Sequence, residues 1–224
     1  MEVQILEWFL TGLLLIRNIL LKLTIDILMI YILQFVNCKT SAYLCSMERN
    51  NGMRPQDVAV LLKILLLKDQ TWMKKDLAGA LFISPAEIGH SLNRSQLAGL
   101  VGGDGKKVLK KSFLEFLIHG FPYVFPVRPG GVTIGIPTAH SAPALNKFIV
   151  SEEKIVWPYP HGKARGYAIA PLYKGAIEAS LRDPDLYDLL SLCDVLRIGR
   201  IREKQKAKEL IEARFEKGVV KSGK

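Results

Sequence analysis

Phe82-Ile83-Ser84-Pro85-Ala86-Glu87-Ile88 is the stretch on which the fold turns. Serine is a strong N-cap, because its hydroxyl accepts a backbone N–H that a helix start leaves unpaired. Proline at the next position costs nothing, since its missing N–H has no helical partner there. Glu87 falls at N3 and completes a capping box, and Ile83 and Ile88 are spaced for a hydrophobic staple. These signals agree on a helix that starts at Pro85. Its inner face is Ile88, Leu92 and then Leu97 or Leu100, and its outer face carries Ala86, Gly89, His90, Asn93 and Arg94.

Upstream, Pro55 suits a first helical turn, and Val58, Leu61, Leu62, Leu65 and Leu66 recur at helical spacing until Lys68-Asp69-Gln70-Thr71 breaks the pattern. A short helix over Lys74 to Leu81 follows, with Leu77, Ala78 and Leu81 inward. Two short helices joined by a tight turn, the second sharply capped, read as a helix-turn-helix. Downstream, Val101-Gly102-Gly103-Asp104-Gly105-Lys106-Lys107-Val108 has the glycines of a hairpin tip and lysines suited to phosphate, and Lys110 and Lys111 extend the basic run. The outer face of the second helix holds no acid. Its small residues permit close approach to a DNA groove, and Asn93 and Arg94 are side chains that read adenine and guanine edges.

The run Asp76-Leu77-Ala78-Gly79-Ala80-Leu81-Phe82-Ile83-Ser84-Pro85-Ala86-Glu87-Ile88-Gly89-His90-Ser91-Leu92, followed by Leu97-Ala98-Gly99-Leu100-Val101, resembles the winged helix-turn-helix of bacterial transcription regulators, the MarR-like type in particular. The resemblance covers about residues 55–111. Ser95 departs from it, standing where such regulators place a core leucine. The resemblance implies double-stranded DNA as partner, a homodimer, and contacts from Ser84, Ala86, Gly89, His90, Asn93 and Arg94 in the groove, with Lys106, Lys107, Lys110 and Lys111 on phosphates.

The chain has 224 residues with a net charge of +10, and 49% of it is hydrophobic. That is ample apolar material for a core and excludes a largely disordered chain. The basic and apolar characters separate along the chain. In residues 1–46, 30 residues are hydrophobic and three acids balance three bases, so the whole excess charge lies in residues 47–224. Glu2 and Glu7 exclude a secretory signal peptide. As a membrane span, Trp8 to Leu33 carries Arg17, Lys22 and Asp26, each costing about 2.5–3.5 kcal/mol, so insertion is roughly neutral. Three readings stay open: translation starting later, at Met47 or Met53; a membrane-associated helix; or a buried helix of the fold. Membrane contact is left open, and through residues 1–46 alone.

Between Gly120 and Gly175 lie eight of the eleven prolines, and short strand-like pieces (Tyr123-Val124-Phe125, Val132-Thr133-Ile134, Lys154-Ile155-Val156-Trp157) alternate with turns. This reads as a small, loop-rich β layer. Asp183 and Pro184 then start a helix carrying Leu186, Leu189, Leu190, Cys193, Val195 and Leu196, and after Gly199 another runs to Phe215. Arg197, Arg200, Lys204 and Lys208 step along it as a positive stripe.

No catalytic or metal motif is found. His119, His140 and His161 are about twenty residues apart, and no GxSxG, Walker or dinucleotide loop is present. Cys38, Cys45 and Cys193 include no CxxC pair and read as inert thiols of a reducing cytoplasm. Arg128, His140, His161 and Arg165 are candidates to converge on a small anionic effector, with Arg197 and Arg200 as further phosphate contacts.

The expectation is thus an α+β, mostly α fold: a hydrophobic extension over 1–46, a winged helix-turn-helix over 53–118, and a C-terminal α+β module over 119–218. The expected function is cytoplasmic, sequence-specific transcriptional regulation without cofactor, metal or catalysis, as a self-repressing or antitoxin-like control protein. A protein-binding adaptor is the alternative, and a nucleic-acid-processing enzyme a third reading.

Overall fold

The computed structural model describes residues 52–216, except 69 and 150. The extension over 1–46, with Cys38 and Cys45, and the suggested start Met47 lie outside the described residues, whereas Met53 lies within them. The fold is α+β, dominated by helices, with one small mixed sheet.

Helix α1 spans Pro55–Leu67. Proline occupies its first turn, and Asp57 accepts a hydrogen bond from the backbone N–H of Arg54 at 2.8 Å. From Asp57 to Leu62 six consecutive residues are buried, so this part of the helix is enclosed on every side. Helix α2 is Lys74–Leu81, closed by Phe82 in the left-handed conformation (φ 55°), and α3 is Pro85–Leu97. Ser84 caps α3 as its sequence requires, accepting from the Glu87 N–H at 3.2 Å. The expected capping box is only half formed, because the Glu87 carboxylate turns instead to Arg94, Gln56 and Arg54. Leu100 rather than Leu97 joins the core, and Leu97 is 70% exposed.

A hairpin follows, joined by a single bridge between Val101 and Val108. Gly102 and Lys107 are hydrogen-bonded through N–H and carbonyl at 2.8 Å, and Gly105 takes the positive φ (68°) that the tip demands. Helix α4 is Lys110–Glu115. It runs through a π-helical turn, Phe116–Gly120, into a one-turn helix α5, Phe121–Val124. The expected strand at Tyr123-Val124-Phe125 is therefore helical. Its aromatic and β-branched residues suit either state, and Phe121 buried against Phe116 and Phe125 decides the outcome.

Three strands, β1 (Val132–Pro137), β2 (Ile155–Pro158) and β3 (Ala164–Ala168), close on themselves. β1 pairs antiparallel with both others, and β2 and β3 pair in parallel. Gly135 is opposite both Pro158 and Ala164, and a Cβ there would lie 1.9 Å from the Trp157 carbonyl oxygen. So tight a closure needs a residue with no side chain at that crossing. Between β1 and β2 lie a 3₁₀ turn, Ala139–Ser141, and helix α6, Pro143–Asn146.

The chain ends in α7 (Ala176–Arg182), α8 (Pro184–Ile198) and α9 (Ile201–Glu216). Asp183 caps α8, accepting from the Leu186 N–H at 3.1 Å, and Leu189 to Leu196 are all buried. One polar cluster ties the sheet to α8. Asp194 accepts from Thr138 Oγ1 at 2.8 Å, Trp157 Nε1 at 2.7 Å and Arg197 Nη1 at 2.8 Å. Burial pushes the Asp194 carboxyl up, against the opposing pull of Arg197 and the two neutral donors.

The hydrophobic side chains from Val58 to Phe215 form one continuous core. Helix α1 packs on α8, α2 on α7, and Lys63 Nζ meets Asp183 at 2.7 Å. Arg182 lies over the Phe82 ring, 4.4 Å from its centre, pinning the turn between α2 and α3 to α7. Among the described residues no helix is long and apolar enough to cross a membrane.

Candidate nucleic-acid interface

Helix α3 rests on α1 and α2 through Ile88 and Leu92, both buried, and turns its other side outward. On that side Ser84, Ala86, His90 and Asn93 are exposed, and Gly89 is half-buried. Five of the six α3 residues expected to face DNA are thus placed there. Gly89 has a partner that sequence reasoning missed. A Cβ built on it would lie 3.4 Å from Lys74 Nζ, so an ammonium from α2 overhangs the middle of the face. Lys74 was readable as a helix-start residue, but nothing in its spacing connects it to a position fifteen residues on.

Arg94 is the correction. It is only 8% exposed and is turned inward, not onto the outer face. Its Nε and Nη2 donate to the two oxygens of Asp57 at 2.8 and 2.7 Å, and Nη2 also donates to Glu87 at 2.6 Å. Asp57 is fully buried, so this fork-shaped pairing is what allows a carboxylate to sit in the core. The hydrogen bonds that Arg94 donates to Asp57 outweigh the desolvation of the guanidinium, and its pKa is raised. At Glu87 desolvation raises the pKa, but hydrogen bonds from Arg94 and Gln56 and the charges of Arg94 and Arg54 together hold it below the usual carboxylate range. The consequence for the face is indirect. Arg94 contributes no base-reading group, yet it neutralises the one acid at the start of α3.

The hairpin supplies the second part of the interface. Lys106 and Lys107 are exposed, as are Lys110 and Lys111 where α4 begins. The Asp104 side chain accepts the backbone N–H groups of Lys106 and Lys107 at 3.1 and 3.2 Å, and these bonds hold its pKa down. Gln96, near the end of α3, donates to the Gly103 carbonyl at 3.2 Å. That contact sets the angle of the tip relative to the helix. Lysine chains projecting from such a tip act as point charges for phosphate oxygens.

The remaining candidates are dispersed. Arg128 is exposed in the segment before β1, and Arg165 is exposed on β3 opposite Ile134. His161 is exposed with its ring edge-on to Tyr159, centres 5.6 Å apart. His140 hydrogen-bonds the Glu153 carbonyl at 2.8 Å and lies 3.8 Å from Glu203. No hydrogen bond or ion pair joins any two of these four. Arg197 is not available for phosphate either. Its Nε donates to the Phe125 carbonyl at 2.8 Å while Nη1 holds Asp194, so it leaves the expected positive stripe. Arg200 stays exposed at the start of α9.

Among the described residues no three histidine, cysteine, aspartate or glutamate side chains are grouped to hold a metal ion. Cys193 is buried and its thiol is pushed up by that burial, which leaves it protonated and unreactive. No protein-family model, no curated protein and no solved structure matches the chain.

Proposed function

We propose that this chain is a DNA-binding transcriptional regulator whose helices α2 and α3 and following hairpin work as a winged helix-turn-helix. One observation carries the reading. The outer side of α3 is open along Ala86, His90 and Asn93, is overhung by Lys74, and is followed by a lysine-tipped hairpin, with Glu87 in the first turn of α3 already paired to Arg94. In this reading α3 enters the major groove. Ala86 and Gly89 permit close approach, and Asn93 and His90 meet base edges. Lys106, Lys107, Lys110 and Lys111 hold phosphates and carry no sequence information themselves. A homodimer on a palindromic site, in a self-repressing control element, is the form of regulation proposed.

The test is a gel shift of the full chain on the DNA upstream of its own coding sequence, repeated over a salt series. Affinity is expected to fall linearly in log–log form with salt, and replacing both Lys106 and Lys107 by alanine is expected to lower the slope by about 2. Asn93→Ala is expected to relax sequence preference while leaving the slope in place. Absence of binding at low salt would remove the DNA reading in favour of the adaptor.

A further inference from the structure

The groove at the base of the hairpin is built from two separate parts of the sequence. The last turns of α1 bring Ile64 and Leu65, the chain after α1 brings Lys68 and Trp72, and the return arm of the hairpin brings Lys106 to Lys110. Together they enclose about 480 Å³. Ile64, Leu65, Val108 and Leu109 form an apolar wall, with the half-buried Trp72 ring beside them. Lys68, Lys106, Lys107 and Lys110 complete the lining, and no acidic residue is among the described residues there. None of the four lysines forms an ion pair or a side-chain hydrogen bond.

Two features of this lining restrict what it accepts. Four lysines round one small groove, of which Lys107 alone feels a nearby carboxylate, Asp104, leave a net positive charge that a single carboxylate would only partly answer. A chain of phosphates answers them better, because each added phosphate brings further negative charge to the same groove. An indole beside an aliphatic wall is a surface for a flat heterocycle, which gains from stacking and from the exclusion of water on its second face. Both demands meet in one class of molecule. We propose that this groove binds a nucleoside polyphosphate, its base against Trp72 and its phosphates on Lys68, Lys106, Lys107 and Lys110. Three of these lysines, Lys106, Lys107 and Lys110, are assigned to DNA phosphates above. A nucleotide in the groove therefore competes for them, and nucleotide and DNA weaken one another by the same factor. The coupling rests on the DNA reading, whereas the binding does not.

The test is equilibrium dialysis of the full chain, without DNA, against labelled ATP and GTP. Inorganic tripolyphosphate, the free nucleosides and a twelve-residue oligothymidylate serve as comparison probes. One nucleotide is expected to bind with a Kd below about 0.1 mM, and tripolyphosphate at least about tenfold more weakly. Trp72→Leu is expected to weaken the nucleotide by about tenfold and leave tripolyphosphate unchanged. Lys68→Ala, a position outside the proposed DNA face, is expected to weaken both, with an unaltered circular dichroism spectrum as the control for folding. Equal affinity for nucleotide and tripolyphosphate would overturn the proposal, since the groove would then be a bare cation cluster. Tighter binding of the oligothymidylate would overturn it in favour of a path for a single strand, and no nucleotide binding at about 1 mM would overturn it outright. If DNA binding fails while the nucleotide binds as expected, the groove stands and the regulator reading falls.

Discussion

Replacing Arg94 by alanine separates a base-reading arginine from a buried one. Asp57 is fully buried and accepts three hydrogen bonds: two from Arg94, at 2.8 and 2.7 Å, and one from the Arg54 backbone at 2.8 Å. The substitution removes two of the three and the fork that compensates the buried charge. Glu87, by contrast, is partly open to water and loses little. Stranding one member of a buried pair costs about 3–5 kcal/mol, against about 0.5 kcal/mol or less for an exposed side chain. For a chain of this size the larger figure lowers the melting temperature by roughly 6–20 °C. Urea unfolding followed by far-ultraviolet circular dichroism measures it, with Asn93→Ala as the exposed control. Replacing both partners, Asp57→Leu with Arg94→Met, is expected to recover most of the loss, because no unpaired charge remains. A variant Arg94→Ala that unfolds at the wild-type urea concentration, yet binds DNA more weakly, would refute the reasoning and return Arg94 to the outer face.

Three further outcomes follow from single contacts. Ser84→Ala removes the cap of α3 and is expected to cost about 1 kcal/mol in the same urea assay. Gly135→Ala forces a methyl to within 1.9 Å of a carbonyl oxygen where all three strands meet, and is expected to destabilise by about 3 kcal/mol or more, read as reduced soluble yield and a lowered melting temperature. The folded pKa of Glu87 lies below the unfolded value near 4.3, so its stabilisation is present above that value and is lost as pH falls through the folded one. Glu87→Gln is therefore expected to be less stable than wild type at neutral pH, with the difference shrinking below about pH 4 in thermal melts.

Local grammar made the helices legible. Proline and serine at the start of α3, aspartate and proline at the start of α8, and glycine after it each act within one turn, so the chain announces them without help from the rest of the fold. Strands β1 and β2 were legible for the same reason. Strand β3 was not. Ala164-Arg165-Gly166-Tyr167-Ala168 has small, charged and glycine residues that read as a turn, and only pairing with Ile134 and Ile155 on other strands makes it extended. Arg94 and Arg197 fail in a common way. A helical spacing tells which side chains share a face, but not that Asp57, 37 residues away, or the Phe125 carbonyl, 72 residues away, waits beneath them. Lys74 over Gly89 and Trp72 beside the hairpin lysines are likewise products of tertiary placement, invisible to spacing.

A helix enclosed on all sides leaves its passengers no freedom to swing. Helix α1 supports α3 through Asp57 and Arg94 and meets α8 along the same buried length, so the proposed reading helix and the C-terminal helices turn as one solid piece. Cutting the chain after residue 118 would uncover that length to water, and the first 118 residues are not expected to fold as a portable reading head. A control mechanism that rotates one half against the other is mechanically closed to such a body. What can move without unpacking the core is the tip of the hairpin between the buried Val101 and Val108, held beyond their bridge by a glutamine contact. Any adjustment of affinity is then a matter of a few ångströms of lysine travel at that tip, a lever far shorter than the molecule.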